Sequence, residues 1–253
     1  MKPFSTKELK LYKKQDEDFE DGLVMPLSVH LEELRNKIIT SLITLCIFTL
    51  IGFSLSREII RLLTNIAPGG TTFLQIKPGE FFFTSLRVSL YFGLAVSLPV
   101  IIWQLGSFIF PGLSKKEKKF AIPILASAPV LFCVGSFFAY LFVAPSMLNF
   151  LFGFGKDIIS TSISIESFIL FTLMIMAICG CAFLLPIVIL ALASARIVNS
   201  KMLLSGWRFA ILGSVILGAV LTPTPDPFNM SIVSGMLMGL YFVSVGVLRI
   251  LRL

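Results

Sequence analysis

The sequence predicts an all-α integral membrane protein, a bundle of six transmembrane helices that is kinked rather than cylindrical. Three observations carry that expectation. The 253 residues are 56% apolar and only 14% charged, where soluble domains carry about 25% charged residues, and the mean hydropathy is +0.94. The apolar residues fall in runs approaching the ~20 that a helix needs to cross ~30 Å of hydrocarbon, and a helix satisfies its own backbone polar groups within the span. Lysine and arginine then sort by side: with six spans, sixteen fall on the side of both termini and five on the other. That asymmetry predicts both termini on the cis face, cytoplasmic or stromal.

Taken in order, residues 1–25 are hydrophilic. Lys2, Lys7, Lys10, Lys13 and Lys14 are balanced by Asp16, Glu17, Asp18, Glu20 and Asp21, without the apolar core of a cleavable signal peptide. A flexible tail is expected there, followed by one six-helix membrane domain over 26–253. The apolar segments are 38–55, 88–110, 120–143, 167–194, 209–221 and 229–248. Helices five and six are expected to be short. Phe209 to Leu221 is 13 residues, about 20 Å of helix, roughly 10 Å less than the hydrocarbon thickness. Either Trp207 and Arg208 extend it, or the bilayer thins around it, or its neighbours shield it as a half-buried hairpin arm.

Proline and small residues shape the expected packing. Pro99, Pro123, Pro129 and Pro186 lie within spans, and each is expected to kink its helix by freeing a backbone carbonyl. Thr222-Pro223-Thr224-Pro225-Asp226-Pro227 cannot be helical and forms the turn between the last two spans. Ser214-x-x-x-Gly218 and Gly235-x-x-x-Gly239 permit close helix contact, expected inside the chain. No internal repeat of the transporter type is present.

The inventory excludes most enzymes. The net charge of +7 comes from basic residues beside apolar segments, which reads as orientation and not as nucleic-acid binding. One histidine, His30, argues against a histidine metal site or a Ser-His-Asp triad, and Gly155-Lys156 lacks the rest of a phosphate loop. Cys46, Cys133, Cys179 and Cys181 lie in apolar runs, with the Cys179/Cys181 pair expected to serve packing. No cofactor, metal or catalytic residue is expected. No acid sits at a span centre, which argues against a proton relay.

The acids gather instead at span ends. Glu32 and Glu33 precede the first span, with Ser28 as a cap and Lys37 four residues beyond Glu33 as an ion-pair partner. Glu117 stands among Lys115, Lys116, Lys118 and Lys119, where a carboxylate stays ionised and can pair a guanidinium in a bidentate fork. Asp226 lies in the Thr222–Pro227 turn and can cap the last helix. Each has a structural reading and a binding reading, and the residues alone leave both open.

In combination these motifs resemble the TatC family. His30-Leu31-Glu32-Glu33-Leu34-Arg35 resembles its HLxELR signature. Phe108-Ile109-Phe110-Pro111-Gly112-Leu113 with the Lys115–Lys119 run resembles its first cis loop, and Leu221 to Phe228 resembles its last trans turn. The resemblance implies a receptor, not an enzyme, for the twin-arginine signal peptides of folded precursors. It implies signal-peptide binding at Glu33 and Glu117, with Arg35, Phe108 and Leu113 beside them, and a trans turn built on Thr222, Pro225 and Asp226. It also implies single-span partners of the TatA and TatB type, self-association, and a proton-motive-force drive. The chain departs from the family at Leu184, where an acid or amide is common, and at Met230, where glutamine is common. Lys77-Pro78-Gly79-Glu80-Phe81-Phe82-Phe83 resembles the cyanobacterial and plastid version, which implies a thylakoid membrane, with a bacterial cytoplasmic membrane as the alternative. Two rivals remain. A small-solute transporter would call for repeats and a midplane polar site, and a scaffold subunit without a ligand would leave the joint motif match unexplained.

Overall fold

The computed structural model describes residues 27–109, 115–154, 162–194, 197–222 and 226–251. Helix α1 spans Leu27–Thr64, strand β1 Thr72–Leu74, α2 Glu80–Ile109 and α3 Lys115–Phe138. A π-helical turn, Ala139–Val143, joins α3 to α4, Ala144–Gly153. Strand β2, Ser162–Ser164, leads into α5, Ile165–Ala182, and α6, Leu185–Ser194. The short α7, Ser200–Ser205, precedes α8, Trp207–Leu221, and α9, Pro227–Leu251.

Among the described residues, five helical stretches are long and apolar enough to cross a membrane: Leu31–Thr64, Glu80–Phe108, Ala121–Gly153, Ile165–Ser194 and Pro227–Ile250. The sixth, α8, has 15 residues, because Trp207 and Arg208 do join the helix, with the guanidinium over the indole ring at 5.8 Å. The chain passes back and forth, so the start of α1, the end of α2 and the start of α3 share one end of the bundle. The α8–α9 turn lies at the other. These are called below the Glu33 end and the Asp226 end.

Several expected boundaries move outward. Helix α1 has 38 residues, about 57 Å, and carries Arg57, Glu58 and Arg61 within it. Arg61 pairs with Glu58 at 3.2 Å one turn away, so the helix continues past the hydrocarbon edge on its own hydrogen bonds. Helix α9 is not short: its 25 residues begin directly at Pro227, whose missing N–H and fixed φ suit a first helical position.

Proline acts in two ways. Pro99, Pro123 and Pro129 lie inside continuous helices. Pro186 does more than kink: the helix breaks at Phe183–Leu184, and Pro186 becomes the second residue of α6, where no donor is missed. Likewise Pro145, at the start of α4, would clash with the carbonyl four residues back in a regular helix. The wider π turn immediately before it accommodates that conflict.

Lipid is as apolar as leucine, so close backbone approach holds such helices together more than burial does. Helices α3 and α5 meet at two glycines. A Cβ on Gly135 would lie 2.7 Å from the Cys179 carbonyl oxygen, and one on Gly180 would lie 2.7 Å from Phe132 and Ser136. Gly93 of α2 lies tighter still against Thr49 of α1. Of the two sequence pairs expected inside, only the first packs so: Gly218 faces Ser234 of α9, and Ser214 is buried. Gly235 and Gly239 are exposed, with open space where a Cβ would stand. The periodicity placed them on one face without saying which face. Cys179 packs in the core beside Ala139, Val143, Met147 and Val233, whereas Cys181 is exposed.

Candidate functional site

At the Glu33 end, α1 and α2 form the most extensive helix pair among the described residues. Glu33 lies two turns into α1, and its Oε1 is 2.6 Å from Lys37 Nζ, with both side chains largely covered. The i,i+4 spacing makes that pair, as the sequence suggests. Arg35 and Glu32 are exposed on the other side of the same turns. Phe108, at the end of α2, lines a groove of about 180 Å³ together with Lys37, Leu34, Ile38 and Leu105. Phe108 therefore shares one groove with α1 residues some 70 positions earlier, and Lys37 of that wall holds the Glu33 carboxylate. Glu117 lies in the first turns of α3. Its side chain, that of Ser28, the whole of Leu113 and Pro225, and the tail 1–25 lie outside the description.

At the Asp226 end the capping reading is realised in full. Asp226 is 5% exposed. Its Oδ1 accepts from the Phe228 N–H at 3.2 Å, and its Oδ2 accepts from the Asn229 N–H at 3.0 Å. These are the N–H groups at the second and third positions of α9, which an N-cap carboxylate is placed to satisfy, and the negative charge suits a helix N-terminus. Asn229, fully buried, donates its amide to Asp226 Oδ2 at 2.6 Å and accepts from Ser146 Oγ at 2.6 Å. The turn is thereby tied to α4. Thr222, also buried, closes α8 by donating Oγ1 to the Gly218 carbonyl at 2.9 Å. Asn229 was not among the expected residues, although an amide three residues after a capping Asp is a readable signal.

A second polar cluster at this end centres on Glu80 of the Lys77–Phe83 stretch, a residue not expected from the sequence to be part of a site. Glu80 is 2% exposed and accepts from the N–H groups of Ile76 at 2.8 Å, Lys77 at 3.0 Å and Glu166 at 3.2 Å. It also accepts from the Ser164 hydroxyl. Glu166 in turn pairs with Arg87. Beside them β1 and β2 run parallel, with Thr72 opposite Ser162 and Leu74 opposite Ser164. One carboxylate thus joins two loops some 85 residues apart. Glu80→Gln presents an NH₂ group to a ring of donors, so amide exchange over residues 72–79 and 162–166 should rise clearly above wild type, while α9 exchanges as before.

Comparison with known proteins agrees with this architecture. A family model described as "Sec-independent protein translocase protein (TatC)" matches residues 29–235. The chain is 38% identical over 231 residues, 91% of each chain, to the Sec-independent protein translocase protein TatC of Synechocystis sp.. It is 39% identical over 222 residues to the chloroplastic TATC protein of Oryza sativa subsp. japonica, covering 87% of this chain and 62% of the rice protein. Among solved structures, the crystal structure of the twin arginine translocase receptor TatC in DDM superposes with a TM-score of 0.73 at 30% identity, covering 87% of this chain and 99% of the other. The sequence match over most of the chain and the shared helix arrangement place this multi-pass membrane protein in the TatC family, a component of the Sec-independent, twin-arginine protein translocase.

Proposed function

We propose that this chain is the receptor subunit that binds the twin-arginine signal peptide of folded precursor proteins at its Glu33 end. The observation that carries the reading is the Glu33 carboxylate, held by Lys37 at the rim of an apolar groove. An incoming guanidinium exchanges with the Lys37 ammonium. It offers a planar two-donor fork where lysine offers a point charge, so arginine is preferred even though one cation replaces another. Glu117 takes the second arginine, and Arg35, Phe108 and Leu113 border the site. Because an ammonium must be displaced and the site is partly solvated, discrimination of about tenfold is the scale to expect, equivalent to ~1.4 kcal/mol.

In this reading the Glu33 end and both termini face the cytoplasm or stroma, supported by the sixteen-to-five distribution of Lys and Arg. Single-span partners of the TatA and TatB type complete the machine, which draws on the proton-motive force. The exposed Gly235 and Gly239 face supports association of α9 with another helix, including that of a second copy. A thylakoid membrane fits the plastid-like Lys77–Phe83 stretch and the chloroplastic and cyanobacterial relatives.

The test is binding of a labelled twin-arginine signal peptide to the purified protein in detergent, beside a Lys-Lys peptide. Glu33→Gln and Glu117→Gln should each weaken the Arg-Arg peptide about tenfold and remove its advantage over Lys-Lys, without lowering the melting temperature. Equal weak binding of both peptides, unchanged by either substitution, would favour the scaffold reading.

A further inference from the structure

Toward the Glu33 end, α2 and α3 part and leave an apolar groove of about 220 Å³ between them. Pro99 of α2 and Pro129 of α3 line it from opposite walls, and a proline inside a helix kinks it and interrupts regular packing along that face. Trp103 of α2 and Ile122 of α3 also line the groove and are exposed, so it opens at the surface of the bundle. The volume exceeds the ~150 Å³ apolar cavity that takes up a benzene-sized group, but it is too small for a helix ~10 Å across.

The α3 wall runs directly into positive charge. Lys115, Lys116, Lys118 and Lys119 lie in the first turns of α3. At 3.6 residues per turn, positions 115, 118, 119, 122, 125, 126 and 129 fall in one stripe about 120° wide. Lys115, Lys118 and Lys119 therefore share a register with Ile122, Leu125, Ala126 and Pro129 of the groove wall. Glu117 falls on the opposite side of the helix, and Lys116 lies outside the stripe. Lys119 precedes Ile122 by ~4.5 Å along the axis and Lys115 by ~10 Å. Lys118 is half-buried, and the N-terminal end of a helix adds positive potential of its own. On the other wall, Trp103 lies ~9 Å before the end of α2, at the depth where tryptophan marks a membrane interface.

We propose that the groove and the lysine stripe together hold one anionic lipid of the leaflet at the Glu33 end. Its acyl chain lies between Pro99 and Pro129, and its headgroup meets Lys115, Lys118 and Lys119. Neither half selects a lipid alone. Any lipid supplies hydrocarbon to a groove, and a lysine run attracts anionic headgroups without fixing one of them. Their alignment on one stripe of one helix gives the site both a depth and a charge. A preference for anionic over neutral lipid of about fivefold is expected, the effect of one lysine near a membrane surface. The proposal stands apart from the receptor reading, because the groove contains neither Glu33 nor α1 and Glu117 occupies the other side of α3.

The chain has two tryptophans, Trp103 and Trp207, so Trp207→Phe leaves a single indole, on the groove wall. The full chain with that change is reconstituted in phosphatidylcholine bilayers. Quenching of Trp103 fluorescence is then titrated with brominated-chain phosphatidylglycerol, beside brominated-chain phosphatidylcholine. The anionic lipid should reach half-quenching at about one fifth of the mole fraction that the neutral lipid needs. Replacing Lys115, Lys118 and Lys119 together by Gln should abolish that preference, and Lys116→Gln should keep it. Lys118→Gln alone should lose part of it, which keeps the test decisive if the triple variant fails to fold. Ala126→Leu fills the groove from its wall with a strong helix former, leaves every charge in place and should also lower the preference. Equal quenching by both lipids overturns the proposal, and so does a preference that survives the triple substitution or Ala126→Leu. Loss of the preference when inorganic phosphate is added at constant ionic strength overturns it in favour of a free-anion site. Quenching by neither lipid overturns it as well, and means that a second copy of the chain covers the groove.

Discussion

Gly135→Val should destabilise the detergent-solubilised protein by about 3 kcal/mol, the upper range for overpacking a filled contact. The added Cβ would lie 2.7 Å from the Cys179 carbonyl oxygen and 2.7 to 2.8 Å from the Phe183 side chain. The ring can turn, but the carbonyl belongs to the α5 backbone and cannot move alone. Helix α3 must therefore separate from α5, and the same separation loosens Gly180 against Phe132 and Ser136. It also strains the bonds from Tyr91 to Ser136 at 2.9 Å and from Ser136 to the Met176 carbonyl at 3.2 Å. Valine is a slightly better helix former than glycine, an offset of a few tenths of a kcal/mol. Gly235→Val isolates that offset, because a Cβ there meets open space. Thermal melting in detergent should show a large drop for Gly135→Val and no drop for Gly235→Val. Equal drops would refute the close-contact account.

Asp226→Ala should cost a similar amount, about 3 kcal/mol, by a different mechanism. Charge-assisted hydrogen bonds contribute roughly 1.5–3 kcal/mol each, and loss of an N-cap alone costs about 1 kcal/mol. Alanine removes both capping bonds to α9 and leaves the buried Asn229 amide without its acceptor. Asp226→Asn keeps one acceptor oxygen and should fall between wild type and alanine. Asn229→Leu should release Ser146 and loosen α4 from α9 while keeping the backbone cap. Because the turn and the proposed peptide site lie at opposite ends, Asp226→Ala should still bind a twin-arginine peptide normally at temperatures below its own melt. Loss of peptide binding at such a temperature would mean that the two ends are coupled.

Features governed by the solvent phase or by residues within one helical turn were legible beforehand. Six spans follow from run length, the Glu33–Lys37 pair from i,i+4 spacing, and the Asp226 cap from its place before Pro227. The added reach of α1 was less legible, because Arg57, Glu58 and Arg61 look like a loop to a hydropathy count. Nothing in hydropathy says that their helix continues on its own hydrogen bonds. Arg87 falls just outside the apolar run 88–110 for the same reason, yet α2 carries it and Glu166 pairs with it.

What the sequence by itself determined is the class of solvent, the number of passes and the pairs and caps made within one helical turn. Each of these depends on composition or on neighbours within about four positions. What only the tertiary structure decided is which surfaces meet. It joined Glu80 to Ser164, turned Gly135 and Gly180 into the contact between α3 and α5 while leaving Gly235 and Gly239 outside, and brought Phe108 into one groove with Lys37. In lipid, apolar faces are equally content against hydrocarbon or against another helix. The pattern of apolar residues therefore carries little information about partners. Steric fit and a few buried polar bonds between distant segments supply that information, and they exist only once the helices are in contact.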